Sequence, residues 1–309
     1  MPPSGPLRII AGPTGAGKSA IAMALAEREG AWIISADSRQ VYRGFDIGTA
    51  KPTKDERYRV VHRGIDVADP GERYSAARWA NEALDWIEEA RAAGAPVLIV
   101  GGTGLWLRAL VRPLAALPPL DAHERVRLEA ELAPLGTEEL RGRVEQVDPA
   151  RAHLGRTQLL RALEVFTLTG TPLTTWHAAS ASPRRKARWL IVDPGAALQT
   201  RLSTRLGRMY ADGWEREVEG LTRAVPGDAA AWNACGYREI RAAVLGERSR
   251  EEARTAILVS TRQYAKRQRT WFRHQLTDEP EVLRLDPTAD DALERAARWA
   301  TAGGTGDDA

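Results

Sequence analysis

The octapeptide GPTGAGKS at 12–19 is the first stretch whose residue types dictate a chemistry, because Gly12, Gly17, Lys18 and Ser19 fit the spacing G-x-x-x-x-G-K-[ST]. Set between a strand and a helix, such a loop turns backbone N–H groups inward around phosphate oxygens. The helix N-terminus adds a favourable dipole, Lys18 a point charge and Ser19 a hydroxyl for Mg2+, while Pro13, Thr14, Gly15 and Ala16 complete the turn. A second group is Asp37, a lone carboxylate closing the apolar run of AWIISADS. Beside a bound phosphate ester a carboxylate is placed to take a proton from an attacking nucleophile, although Asp-Ser also commonly caps a turn. Thr103 in VLIVGGTG is the third, since flanking glycines allow a ligand close to the backbone, as they would allow a plain turn. Most such loops bind nucleoside triphosphates and work with an aspartate at the end of another core strand. VLIVGGTG ends without one, and GTPase-type base-recognition motifs are missing, so chemistry other than triphosphate hydrolysis stays open.

These residues need a common frame. LRIIAGPTGAGKSAIAMALAERE reads as strand, turn and helix, AWIISADS as a second buried strand, APVLIVGGTGLWLRALV as a third strand with its helix, and RWLIVDPG as a fourth. Apolar strands alternating with helices predict an α/β fold with a parallel sheet covered on both faces. Ligands of such sheets sit beyond the carboxyl ends of the strands, so the phosphate loop, Asp37 and Thr103 should converge on one cleft. The predicted architecture is a P-loop NTPase-like core in two parts, 1–112 and 188–277, around a helical insertion domain at 113–187. The C-terminal part of the core is expected to be helical. Residues 278–309 read as an acidic, partly disordered tail ending in TAGGTGDDA. PLAALPPL and ASASPRRKAR mark entry to and exit from the insertion, the basic run of the latter as a solvated linker, and no internal repeat is present.

Composition narrows the class. Hydrophobic residues make up 43% and charged residues 28% of 309, as in a soluble globular protein. No apolar run reaches the length of a membrane span and the N-terminus does not read as a signal peptide, so a cytoplasmic enzyme is expected. A single cysteine, Cys235, excludes an internal disulfide and a cysteine-rich zinc module, and His153 and His177, without metal spacing, read as surface residues. The net charge is +3, yet residues 278–309 hold nine acidic residues against three arginines (−6), which leaves +9 on residues 1–277. Such a body suits a polyanionic partner, or reflects a bias toward arginine.

TRQYAKRQRTWFR gives that partner a surface. Arg262, Lys266, Arg269 and Arg273, spaced 4, 3 and 4 apart, share one helical stripe, with Ile257, Tyr264 and Trp271 opposite and no acidic residue between Arg254 and Leu276. Ordinary solvated faces mix signs; an all-basic one suits a nucleic-acid backbone.

In order along the chain, GPTGAGKS, ISADSRQVYRGFDIGTAKPT, GGTGLWLRAL, RALEVFTLTGTPL, GYREI and TRQYAKRQRTWFR resemble the tRNA dimethylallyltransferases, also called isopentenyltransferases, over roughly residues 7 to 276. The resemblance implies transfer of a dimethylallyl group from its diphosphate to N6 of adenosine 37 in the tRNA anticodon loop, with release of diphosphate. Thr14 and Ala16 would lie in the diphosphate loop, Mg2+ and Lys18 would take up the developing charge, and Asp37 would accept the N6 proton, with Thr103 beside it. Asp37, Ser38, Arg39 and Gln40 match the segment that meets the adenosine. Thr103, Arg125, Tyr237 and Arg238, and the stretch Lys266, Arg267, Gln268, Arg269 to Arg273 match tRNA-contacting positions. The base would have to leave its stack to reach the cleft. The sequence departs from the family where Thr157 and Gln158 replace a usual Gln-Arg, which moves the expected contact to Arg161. It also has Trp106 where tyrosine is usual, and keeps His62 but lacks its neighbouring histidine. A monomer acting on the anticodon stem-loop, with no membrane partner, is the expectation. Read from the residues alone, a P-loop kinase with Asp37 as base and the insertion as lid remains an alternative, as does an ATP-switched RNA-binding protein.

Overall fold

The computed structural model describes residues 5–112, 114, 117, 118, 120–179 and 184–302. Four positions of the expected linker 113–120, the serine-rich 180–183 and the tail residues 303–309 lie outside them. The chain forms two compact units, Met1–Val111 with Arg185–Ala309, and Arg112–Arg184.

The first unit runs β1 (Leu7–Ala11), α1 (Lys18–Glu29), β2 (Trp32–Ser35), α2 (Lys54–Arg59), β3 (His62–Arg63), α3 (Ala76–Ala92), β4 (Val97–Gly101) and α4 (Gly104–Val111). The second holds α5 (Ala122–Leu132), α6 (Thr137–Val147), α7 (Arg156–Thr169) and α8 (Leu173–Ala179). The first unit then resumes with β5 (Ala187–Val192), α9 (Leu198–Ala211), α10 (Trp214–Ala224), α11 (Tyr237–Val244), α12 (Arg250–Gln275), β6 (Val282–Leu285) and α13 (Ala292–Thr301).

The six strands among the described residues form one parallel sheet in the order β3-β2-β4-β1-β5-β6. Ile9 lies opposite Ile99 on one side and Trp189 on the other, which fixes the register at the centre. Neighbouring strand residues feed opposite faces, as a period of two requires: Ile9, Ile34 and Ile99 join one core, Ile10, Ile33 and Leu98 the other. The second unit closes its own small core around Leu128, Leu132, Leu140, Val144, Leu159 and Leu163.

Two strands go beyond the four expected from the sequence. β3 is only two residues long, too short to show a pattern. β6 and α13 occupy the segment read as an acidic, partly disordered tail, and that reading is corrected for 282–301. Acidic residues dominate the count, but three of the four residues of VLRL are apolar, and Ala292, Ala296, Ala297, Trp299 and Ala300 bury one helix face. Arg188, itself buried in β5, fastens this segment by donating to the Trp299 carbonyl at 2.6 Å and pairing with Glu281 at 2.8 Å.

Candidate active site

Because every strand points the same way, the turns after β1, β2, β4 and β5 open on one edge of the sheet. The first holds the phosphate loop. Gly12 has φ 145°, and a Cβ there would stand 2.2 Å from the Val192 carbonyl oxygen at the end of β5, so only glycine lets the loop cross that strand. Lys18 begins α1, and its ammonium donates to the Pro13 carbonyl at 2.8 Å, inside the turn. Burial lowers its pKa to about 8, against the upward pull of Asp37, with the nearby Arg205 lowering it further.

Asp37 follows β2. One of its oxygens, Oδ1, accepts the Arg39 N–H at 2.9 Å, so it does cap a turn. The same residue borders a cavity of about 590 Å³ together with Thr14, Arg39, Thr103 and Arg205. The cap fixes the carboxylate's direction through that one oxygen. Thr103, after β4, accepts the Ser38 N–H at 3.0 Å through Oγ1, and its own N–H donates to the Ala36 carbonyl at 3.2 Å, tying the β2 and β4 turns together. The phenol of Tyr264 on α12, beside Thr103, is pushed up to about 12 by burial and by the charge of Asp37. Leu202, Leu206, Met209, Trp214 and Ile257 form an apolar part of the cavity wall, while Asn233, Arg238, Glu239, Ser260 and Thr261 add polar groups elsewhere on it.

Arg205 is the residue that motif reading missed. It lies on α9 at the spacing of the buried Leu198, Leu202 and Met209, and is itself half-buried at the cavity. Desolvation pulls its pKa down, opposed by Asp37. A cation on an apolar helical stripe was the available signal. One turn earlier, Arg201 donates to the Gly15 carbonyl of the phosphate loop at 3.1 Å. The fold therefore brings two arginines from α9 to a loop that already has a lysine.

Several expected tRNA contacts lie elsewhere. Tyr237 has no exposed surface, and its hydroxyl donates to Glu217 at 2.6 Å while accepting the Gly48 N–H. Its aromatic ring belongs to the core, so the expected surface role is corrected. Gln40 has its amide committed to Ser35 and to the Thr49 and Ala50 carbonyls. Gln268 is buried between the turns after β1 and β4. Arg269 departs from the basic stripe by gripping Asp193 and the Gly195 carbonyl. Arg262, Lys266, Arg267 and Arg273 are exposed, Ile257 is buried, and Arg267 sits over Tyr264 at the cavity. Arg238, exposed at the cavity rim, donates to Asn233 at 2.5 Å. In the second unit Arg125 and Arg161 both pair with the one carboxylate of Glu164, which turns two guanidinium groups into a single cationic patch. His153 and His177 are on the surface.

Ser19 is exposed in the first turn of α1 and offers a hard oxygen of the kind Mg2+ takes. Among the described residues no group of three His, Cys, Asp or Glu side chains forms a metal cage. No helix among the described residues is long and apolar enough to cross a membrane.

The IPP transferase family model matches residues 40–275, and the isopentenyl transferase model residues 5–66. A tRNA dimethylallyltransferase of Geobacter metallireducens is 45% identical over 275 residues, 86% of this chain and 89% of that protein. One from Thioalkalivibrio sulfidiphilus is 42% identical over 317 residues, 99% of each chain. The crystal structure of the full-length tRNA isopentenylpyrophosphate transferase of Bacillus halodurans superposes with a TM-score of 0.68 at 31% identity, covering 97% of this chain and 96% of that one. With phosphate loop, carboxylate and basic helix placed as described, the chain belongs to the IPP transferase family.

Proposed function

We propose that the protein transfers a dimethylallyl group from dimethylallyl diphosphate to N6 of adenosine 37 in tRNA and releases diphosphate. The observation that carries this reading is the cavity in which Asp37, Thr103 and Arg205 adjoin the phosphate loop beside an apolar cluster of Leu202, Leu206, Met209, Trp214 and Ile257. A phosphate cradle beside an apolar cluster suits the hydrocarbon of an allylic diphosphate, and the polar groups elsewhere on the wall suit an acceptor base. Its relatives are named as tRNA dimethylallyltransferases, which supports tRNA as the acceptor.

The adenine N6 lone pair attacks the allylic C1, the C1–O bond breaks, and its electron pair leaves with the diphosphate. The oxygen of Asp37 not used in the turn accepts the N6 proton. Phosphate-loop N–H groups, Lys18 and Arg205 face the growing negative charge of the leaving group. Mg2+ at Ser19 and the diphosphate oxygens would neutralise part of that charge. Leu202, Leu206, Met209 and Trp214 surround the hydrocarbon and keep water from the reacting carbon.

Ser38, Arg39 and Thr103 would meet the extruded base, and Arg238, Arg262, Lys266, Arg267 and Arg273 the tRNA backbone. Arg125 and Arg161 give the insertion a share of the anticodon stem-loop. A cytoplasmic monomer goes with this reading. Mass spectrometry of nucleosides from unmodified tRNA incubated with enzyme, Mg2+ and dimethylallyl diphosphate tests it. One dimethylallyl group gained on adenosine 37 is expected. No gain across several tRNAs that the protein still binds, or steady phosphate release from ATP, would overturn it.

A further inference from the structure

Gln268 lies in the middle of the basic helix, yet its side chain points inward and only 7% of the residue is exposed. Its Oε1 accepts the Thr14 N–H of the phosphate loop at 2.8 Å, and its Nε2 donates to the Gly102 carbonyl at 2.8 Å. Both ends of the amide are therefore fixed, and its orientation is set by one donor and one acceptor. The fit leaves no slack, because a Cβ on Gly102 would stand 2.3 Å from Nε2. Neighbours on the same helix hold adjacent strand ends: Tyr264 lies beside Thr103, and Arg269 grips Asp193 after β5. α12 is thus a bar across the open edge of the sheet, with exposed cations on its other side.

We propose that Gln268 is a positioning residue that sets the distance between the diphosphate cradle and the Asp37–Thr103 side of the cleft. It borders the cavity, but both ends of its amide are held by protein partners. By engaging the Thr14 N–H it fixes the near arm of the phosphate loop, and through Gly102 it fixes the turn that carries Thr103, which in turn holds Ser38. Nitrogen and allylic carbon must meet in line, so the separation between the anchored diphosphate and the base-side groups decides how often they do. An amide is suited to this role: a carboxylate would face the Gly102 carbonyl with a second acceptor, and an apolar side chain would leave a buried N–H and C=O unpaired. The inference rests on the diphosphate reading of the loop.

The test uses the full chain with Gln268→Leu, Gln268→Glu and the milder Gln268→Asn. Loss of positioning should lower kcat/KM for dimethylallyl diphosphate roughly 10- to 100-fold, the usual worth of a residue that orients reacting groups. The tRNA Kd should stay at the wild-type value. Gln268→Glu carries the discriminating readout. Its activity relative to wild type should recover as pH falls, because the protonated acid again donates to Gly102 while accepting from Thr14. Merely structural damage would lower Tm in all three variants without acid recovery, and would overturn the proposal. A raised tRNA Kd with unchanged kcat/KM for the diphosphate would return Gln268 to tRNA contact and also overturn it. Calorimetry with inorganic diphosphate separates the two levels. A wild-type protein that binds none would defeat the diphosphate reading. Wild-type binding with equally active variants would defeat the positioning role alone.

Discussion

Replacing Arg205 by glutamine removes a desolvated cation that faces both Asp37 and Lys18. A hydrogen bond to a charged group is worth about 1.5–3 kcal/mol, and at about 1.36 kcal/mol per decade its loss lowers kcat/KM for dimethylallyl diphosphate roughly 10- to 150-fold. Part of that loss should fall in kcat, because charge on the departing diphosphate grows toward the transition state. A second consequence has a sign that the structure dictates. Lys18, with a pKa of about 8, loses its proton above that pH, so kcat/KM for the diphosphate should decline there. Arg205 is one of the groups that lower this pKa, and removing it should move the decline to higher pH. Asp37 opposes the lowering, so Asp37→Asn should move the same decline to lower pH. The assay is kcat/KM for dimethylallyl diphosphate at saturating tRNA, from about pH 6.5 to about pH 10, for wild type and both variants. If the Arg205→Gln profile overlays the wild type, or is displaced to lower pH, the placement of Arg205 beside Lys18 and the anion is refuted.

The other expectations follow the same geometry. Asp37→Asn should slow transfer by about 10²- to 10⁴-fold with tRNA affinity retained; single-turnover rates check this, and unchanged rates remove its role as base. Lys266→Ala with Arg273→Ala should weaken tRNA binding and reduce its salt slope by roughly 2, one for each phosphate no longer neutralised. Arg269→Ala should act through Asp193 instead, lowering Tm while leaving the salt slope in place. Ending the chain after Thr277 removes β6 and α13, exposes the edge of β5 and strips Trp299 and Leu285 from one core; the product should be insoluble. Soluble, active protein would show that this segment is dispensable.

Much of the site was legible in the sequence because its signals are local. GPTGAGKS needs glycines where the chain crosses β5 and a lysine one residue before a serine at a helix start, and all of this falls within eight consecutive positions. Asp37 and Thr103 are the polar residues that follow apolar strands, and parallel pairing brings their turns to one edge of the sheet. The two-part core was readable as well, since a doubly covered strand is apolar throughout. What the sequence could not decide is which way a side chain faces when its partner is distant. Gln268 looks like its exposed neighbours on α12, and only Thr14 and Gly102, 254 and 166 positions away, draw it inside. Tyr237 matches a tRNA-contacting position by resemblance, and only the fold shows Glu217 and the Gly48 turn closing around it. Arg205 shows as an anomaly in a leucine stripe, and the tertiary fold supplies the Asp37 charge that makes it tolerable. The acidic segment after Asp278 resembled a tail because net charge outweighs short apolar patterns, and β6 forms because β5 presents an open edge. Local pattern thus determined the elements and the phosphate chemistry, whereas pairing across long stretches of chain decided which polar groups serve the substrates and which hold the cleft in shape.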